Sequence, residues 1–197
     1  MATRRTKRPA RTGAGGAGLR SEIMFYIGIL GMLMLVYAVS FLNSGTPTQR
    51  YTFLVGDTIL LLVAYESRQK VLVAIQIEIL LSIAASFFSS VPLLAYLGVV
   101  SLAALAMIAY LYSIGYYRKD RIGVIGTVGF VVLAVGFVLN TGAYKFAVDF
   151  AFAFGAVLIA IYSLLSFYFY KVRVQLVFFV LNVAFGIAPL LALLAAL

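Results

Sequence analysis

Apolar residues run along this chain in long unbroken stretches, separated by short groups of polar and basic positions. Seven stretches can be marked, at residues 23–42, 51–65, 71–88, 91–113, 122–139, 150–170 and 174–197. An α-helix rises about 1.5 Å per residue, so roughly 20 residues cross the hydrocarbon layer of a bilayer. Most of the stretches approach that length. A membrane barrel would instead show segments of about ten residues alternating apolar and polar. The pattern predicts an all-α polytopic membrane protein with about seven transmembrane helices, the second being the shortest.

Composition sharpens this expectation. The chain is 64% hydrophobic and 11% charged, a balance that a water-soluble core of this size does not accommodate. It contains no Cys and no His, which removes disulfides, thiolate and imidazole chemistry and the usual zinc, haem and iron–sulfur ligands. Neither a cofactor nor a metal is expected. The net charge of +9 could suggest nucleic acid, but the basic residues sit in the first twenty positions and in short loops, as juxtamembrane residues facing anionic lipid headgroups do. Nucleic acid is therefore not an expected partner.

Lys and Arg are retained on the cytoplasmic side of short loops. Arg4, Arg5, Lys7, Arg8, Arg11 and Arg20 precede the first stretch; Arg68 and Lys70 follow the second, Arg118, Lys119 and Arg121 the fourth, Lys171 and Arg173 the sixth. With seven spans all of these share one side, and the other keeps Arg50 and Lys145. The N-terminus is expected in the cytoplasm and the C-terminus outside, in a multi-pass protein of the cell membrane. Residues 1–21 lack apolar periodicity and read as a flexible basic arm. The apolar run that follows is longer than the core of a cleaved signal peptide.

The chain also matches itself. Ile27-Gly28-Ile29-Leu30-Gly31 corresponds to Ile125-Gly126-Thr127-Val128-Gly129, and Asn43-Ser44-Gly45 to Asn140-Thr141-Gly142. Further on, Phe53-Leu54-Val55-Gly56 corresponds to Phe152-Ala153-Phe154-Gly155, and Lys70-Val71-Leu72-Val73 to Lys171-Val172-Arg173-Val174. A shift of four spans preserves direction, so two parallel three-helix repeats are expected, at residues 22–90 and 118–197, with a linker helix within 91–117.

This three-one-three plan, the short loops and the Gly-spaced first helix of each half resemble the sugar-transporting SWEET proteins, the PQ-loop proteins and the PnuC vitamin-precursor transporters. Asn182, in Leu181-Asn182-Val183-Ala184-Phe185-Gly186, is similar to the Asn of the third SWEET helix. The resemblance is one of layout, since the chain has no Pro-Gln pair and no Trp. It implies a small transporter with a central site between two helical trios.

Polar residues inside the spans are costly and so are candidates for function. Glu78 stands near the middle of the third stretch, with Ala74, Ser82 and Ala85 making a small face around it, and it is the leading candidate for proton or cation binding. Gln76, Asp57, Asn182, Tyr162 and Ser166 join it as candidate substrate-binding residues, with Ser163 beside Tyr162. Against each stands a structural use: helix cross-linking for Glu78 and Asn182, interfacial placement for Asp57, helix packing for the Gly residues near it. Asp149, one turn from Lys145, reads as an interfacial acid, and Glu66 with Arg68 and Lys70 as a solvated turn. Gly186 and Pro189 are expected to loosen the last helix.

No span offers a convincing pair of groups for catalysis, and the last one has no interior Lys for a retinal Schiff base, so an enzyme is not expected. The leading expectation is a carrier or facilitator for a small polar solute that works by alternating access. The other is a non-catalytic membrane subunit or assembly factor, docked in a larger complex or self-associated through its spans. A carrier requires a polar cavity, and a subunit requires that space to be filled.

Overall fold

The computed structural model describes residues 14–66, 68–88, 92–171 and 174–196. Most of the basic arm, and Arg173, lie outside them. The described residues form eight helices and no strand: α1 (Ala14–Phe41), α2 (Pro47–Glu66), α3 (Lys70–Ala85), α4 (Leu93–Ser113), the single turn α5 (Tyr116–Lys119), α6 (Gly123–Leu139), α7 (Lys145–Tyr170) and α8 (Val174–Ala195).

Several boundaries depart from the hydropathy pattern for local reasons. Helix α1 begins at Ala14, inside the stretch expected to be an arm, where small Ala and Gly residues alternate. Helix α2 begins four residues before its apolar stretch, because Thr46 caps it. The Gln49 amide donates to Thr46 Oγ1 (3.3 Å), and Pro47 occupies the first helical position, where its missing N–H costs nothing. Helix α7 likewise starts at Lys145. Pro189 lies within α8, which continues through it to Ala195.

Among the described residues three helices are long and apolar enough to cross a membrane, Glu22–Phe41, Lys145–Tyr170 and Gln175–Ala195, fewer than the seven expected. Two more, Leu97–Ser113 and Gly123–Leu139, are apolar but shorter. Helix α3 has 16 residues and so spans about 24 Å. Helix α2 is long enough but carries Gln49, Arg50, Asp57 and Glu66, which lower its mean hydropathy.

Packing arranges six of the helices in a ring. Helix α1 packs on α2, α2 on α3, α3 on α6, α6 on α7, α7 on α8, and α8 back on α1. Helix α4 lies outside, against α3 and α6. The closest backbone approaches occur at two glycine pairs. A Cβ on Gly31 would stand 3.0 Å from Gly56 O and 3.1 Å from Leu60; one on Gly129 would stand 3.0 Å from Gly155 O and 2.8 Å from Ile159. The second partner of each pair is equally tight, Gly56 against Leu35 and Gly155 against Leu133. Such contacts let α1 and α6 lie closely along α2 and α7.

The core is mainly apolar, but large apolar side chains are also exposed and several polar ones are buried. Leu94, Phe41, Leu102 and Tyr26 are among the exposed groups, whereas Gln49, Asp57, Gln76, Glu78, Asn140 and Asn182 are all buried. Buried polar groups carry the risk of unmet hydrogen bonds, so their partners define the interior.

Gly155→Val is expected to lower stability by about 1–3 kcal/mol through overpacking, read as a reduced melting temperature in detergent. Gly98→Ala, whose Cβ would meet nothing within 4 Å, is expected to be neutral or slightly stabilising in the same assay.

Candidate functional site

One face of α2 organises the interior. Gln49, Phe53, Asp57, Leu60 and Ala64 recur at intervals of three or four residues and are all buried. At 3.6 residues per turn they form a single stripe along the helix. From the Pro47 end to the Glu66 end it presents an amide, an aromatic ring, a carboxylate and an apolar wall.

A cavity of about 650 Å³ occupies the centre of the ring and is lined by residues from all six ring helices. Its mouth lies between Glu22, Gln69, Tyr116 and Gln175, at the end of the bundle that also holds Arg68, Lys70 and Lys171. Its inner reach is marked by Asp57, Gln76, Phe137 and Phe185. The Gln76 amide, turned so that its nitrogen faces Asp57, donates to both carboxylate oxygens, with Oδ2 at 3.3 Å. Thr127, Tyr162, Ser163 and Asn182 supply the remaining polar positions around the middle of the wall.

Several of these groups direct their hydrogens away from the cavity. Thr127 Oγ1 donates to Gly123 O (2.9 Å), and Asn182 Nδ2 donates to Phe178 O (2.7 Å). Tyr162 donates to Asp120 Oδ2 (2.8 Å), and Tyr116 Oη lies 3.2 Å from the same oxygen and 3.2 Å from Tyr162 Oη. Burial first, then the bond to Tyr162, holds the Tyr116 phenol above its usual pKa range, so it stays a neutral donor at the lip of the cavity.

The opposite end is closed in two layers. Phe53, fully buried, meets Phe137 edge-on with ring centroids 4.9 Å apart and Phe152 at 5.7 Å; Phe152 in turn meets Phe185 at 5.5 Å. Edge-to-face packing of this kind adds about 0.5–1.5 kcal/mol per pair beyond buried area. Beyond the rings, Asn140 Nδ2 donates to Gln49 Oε1 (2.9 Å), joining positions 91 residues apart. Gln49 Oε1 also accepts from the Gly45 amide (2.9 Å), Gln49 Nε2 donates to Ala38 O (3.0 Å), and Ser44 Oγ donates to Asn140 Oδ1 (3.0 Å). Gly45 has φ +76°, and a Cβ there would collide with Gly142, so the close meeting of the two turns requires glycine at 45, while at Gly142 it is the backbone, φ +88°, that favours glycine. Arg50 fastens the third helix to this end by donating to Gly45 O and to Ser86 O (2.6 Å).

The structure thus gathers Asp57, Gln76, Tyr162, Ser163 and Asn182 around one cavity. Glu78 lies elsewhere. It is buried at 2% exposure on the face of α3 turned toward α4, and it lines a separate groove of about 1230 Å³ with Ala74, Ala103 and Ala106. Among the described residues its carboxyl oxygens have no hydrogen-bond partner. Ser166 is buried in α7 and does not line the cavity. Asp149 stays on the first turns of α7, near Lys145. Sequence reasoning missed Gln49, Phe53 and Thr127 as site residues, and it named Tyr162 without its partners Tyr116 and Asp120. Asn140 was visible only as a landmark of self-similarity, and Thr46-Pro47 was the start signal that would have placed Gln49 on a helix.

The chain matches no protein-family model, no curated protein and no solved structure.

Gln49→Leu and Asn140→Leu each leave a buried polar partner unmet and are expected to destabilise the protein by about 1–3 kcal/mol. The double variant should lose less than the sum, giving a coupling of about 1–2 kcal/mol in a denaturation cycle. Strict additivity would show that the two amides act independently.

Proposed function

We propose that this chain is a membrane carrier for a small polar solute, in which two helical trios rock around the Asp57 cavity and expose it alternately to each side. The observation that carries the reading is the asymmetry of the ring: a cavity enters from one end as far as Asp57 and stops at a phenylalanine layer backed by the Gln49–Asn140 bond. That is the geometry of one access state, with an outer gate shut. A subunit that only fills space in a larger complex would have no need of it.

The reading takes the seven longer helices as spans, α2 and α3 being made tolerable in lipid because their polar groups turn inward. The exposed apolar faces of the other helices are then the lipid surface. Two repeats of the same direction, with α4 as the linker, are supported by the paired contacts Gly31–Gly56 and Gly129–Gly155 and by the positive φ of Gly45 and Gly142. They are supported also by the reciprocal packing of α3 on α6 and α8 on α1. The end bearing Arg68, Lys70, Arg118, Lys119, Arg121 and Lys171 faces the cytoplasm of a cell membrane, placing the N-terminus inside and the C-terminus outside. The cavity is then open inward, and the basic arm lies near anionic lipid headgroups.

Purified protein in liposomes should take up at least one of three solute classes, sugars, nucleosides or organic cations, with Asp57→Asn reducing uptake at least tenfold. The chain has no native Cys, so Val63→Cys provides a single thiol in the cavity wall. A membrane-impermeant thiol reagent should reach it from the basic-loop side, and from the other side only after Asn140→Ala. No uptake of any class, together with stable co-purification of another membrane protein, would establish the subunit reading instead.

A further inference from the structure

The wall of the central cavity has a charge that the rest of the chain does not prepare for. The protein carries 15 Lys and Arg against 6 Asp and Glu. Among the described residues lining the cavity are Glu22 at the mouth and Asp57 at the inner end, and no Lys or Arg. Asp120 stands just behind the lip, bonded to the wall residues Tyr116 and Tyr162. The two basic residues in the neighbouring turn, Arg68 and Lys70, line the groove outside the ring instead.

Hydrogen-bonding capacity points the same way. Thr127 and Asn182 give hydrogens to their own helices, and Tyr162 gives its hydrogen to Asp120. Gln76 directs its amide nitrogen at Asp57. The neutral polar groups that remain, Ser163 in the wall and Gln69 and Gln175 at the mouth, can both give and accept, so the sign of the site is set by its carboxylates, each offering about four lone-pair sites of which one amide group satisfies only part. An anion would find two carboxylates here and, among the described lining residues, no Lys or Arg.

The apolar part of the wall completes the description. Phe130, Phe178 and Phe185 line it with Tyr116 and Tyr162, and aromatic faces attract cations within about 6 Å. A volume of about 650 Å³ falls within the range of ordinary small-molecule sites.

We infer that the solute class of this cavity is a monovalent organic cation, an amine or quaternary ammonium on an apolar or aromatic body, held by Asp57 at the inner end and by the aromatic wall. The inference rests on the carrier reading for its physiological meaning, but binding itself is measurable without transport.

The test is equilibrium binding to the purified full-length protein in detergent, using radiolabelled benzyltrimethylammonium, with benzoate and benzyl alcohol as competitors that share its ring but not its charge. One saturable site is expected per chain, displaced by unlabelled cation and not by benzoate or benzyl alcohol at a hundredfold excess. Asp57→Asn should weaken binding at least tenfold and Asp57→Glu should restore part of it. Asp149→Asn, near Lys145 at the closed end of the bundle, should leave it unchanged. Gln175→Lys at the mouth, a position where a long cationic side chain reaches water, should weaken binding about three- to tenfold by repulsion alone. Together with the elution profile of each variant, this separates loss of charge from loss of fold. Absence of saturable cation binding in the wild type, equal displacement by benzoate, or unchanged affinity in Asp57→Asn would overturn the inference. If cations bind but liposomes take up nothing, the carrier reading fails and the site stands; if a neutral solute is carried and cations do not bind, the site's assignment fails and the carrier stands.

Discussion

A bundle whose outer faces are apolar is stabilised by settling its buried polar groups with partners from within, and here the Gln49–Asn140 pair fixes which turns meet. Gln49, at the start of α2, satisfies three partners at once: the Gly45 amide, the Ala38 carbonyl and Asn140 at the end of α6. The last of these crosses from one half of the chain to the other. Without it, Gln49 Oε1 would keep the Gly45 amide but Asn140 Nδ2 would lose this buried acceptor, at a cost of about 1–3 kcal/mol. The bond therefore does more than hold two side chains together. It determines that the turns before α2 and after α6 lie against each other, and so that the ring is shut at that end while the cavity enters from the other.

Asp57 is tolerated for a related reason. It sits two turns further along the same stripe, where Gln76 approaches from α3 and the cavity supplies the remaining space. The phenylalanine layer between Asp57 and Gln49 separates the two polar groups, so that opening one end need not disturb the other. A carboxylate below, an apolar barrier in the middle and a hydrogen-bonded seal above are stacked along one helix, and the proposed carrier would use them in that order.

Much of this was legible in the amino-acid sequence, though unevenly. The continuous apolar stretches gave the helices, and α4, α6 and α8 begin and end within a few residues of where hydropathy placed them. The cost of burying polar groups singled out Asp57, Gln76 and Asn182, which do line the cavity. The choice between Gln76 and Glu78 was not legible. Two residues apart on a helix, they point about 200° away from each other, so only one could face the centre. The small residues around Glu78 suggested a cavity side, but Ala74 lines the outer groove together with Ala103 and Ala106 of α4. Gln49 was lost because hydropathy cannot see the turn of helix that Thr46 and Pro47 add before Tyr51. Partners 91 residues apart, such as Asn140, are set by tertiary packing that no local pattern encodes.

The most direct test of this account is a pair of spin labels at Thr48→Cys and Ala143→Cys, exposed positions on the two turns that the Gln49–Asn140 bond draws together. Pulsed electron–electron resonance in lipid should give one short, narrow distance in the otherwise native protein, and a second, longer population when Asn140→Ala is added. A single unchanged distance in both would contradict the proposal that this bond is the closed gate of the ring.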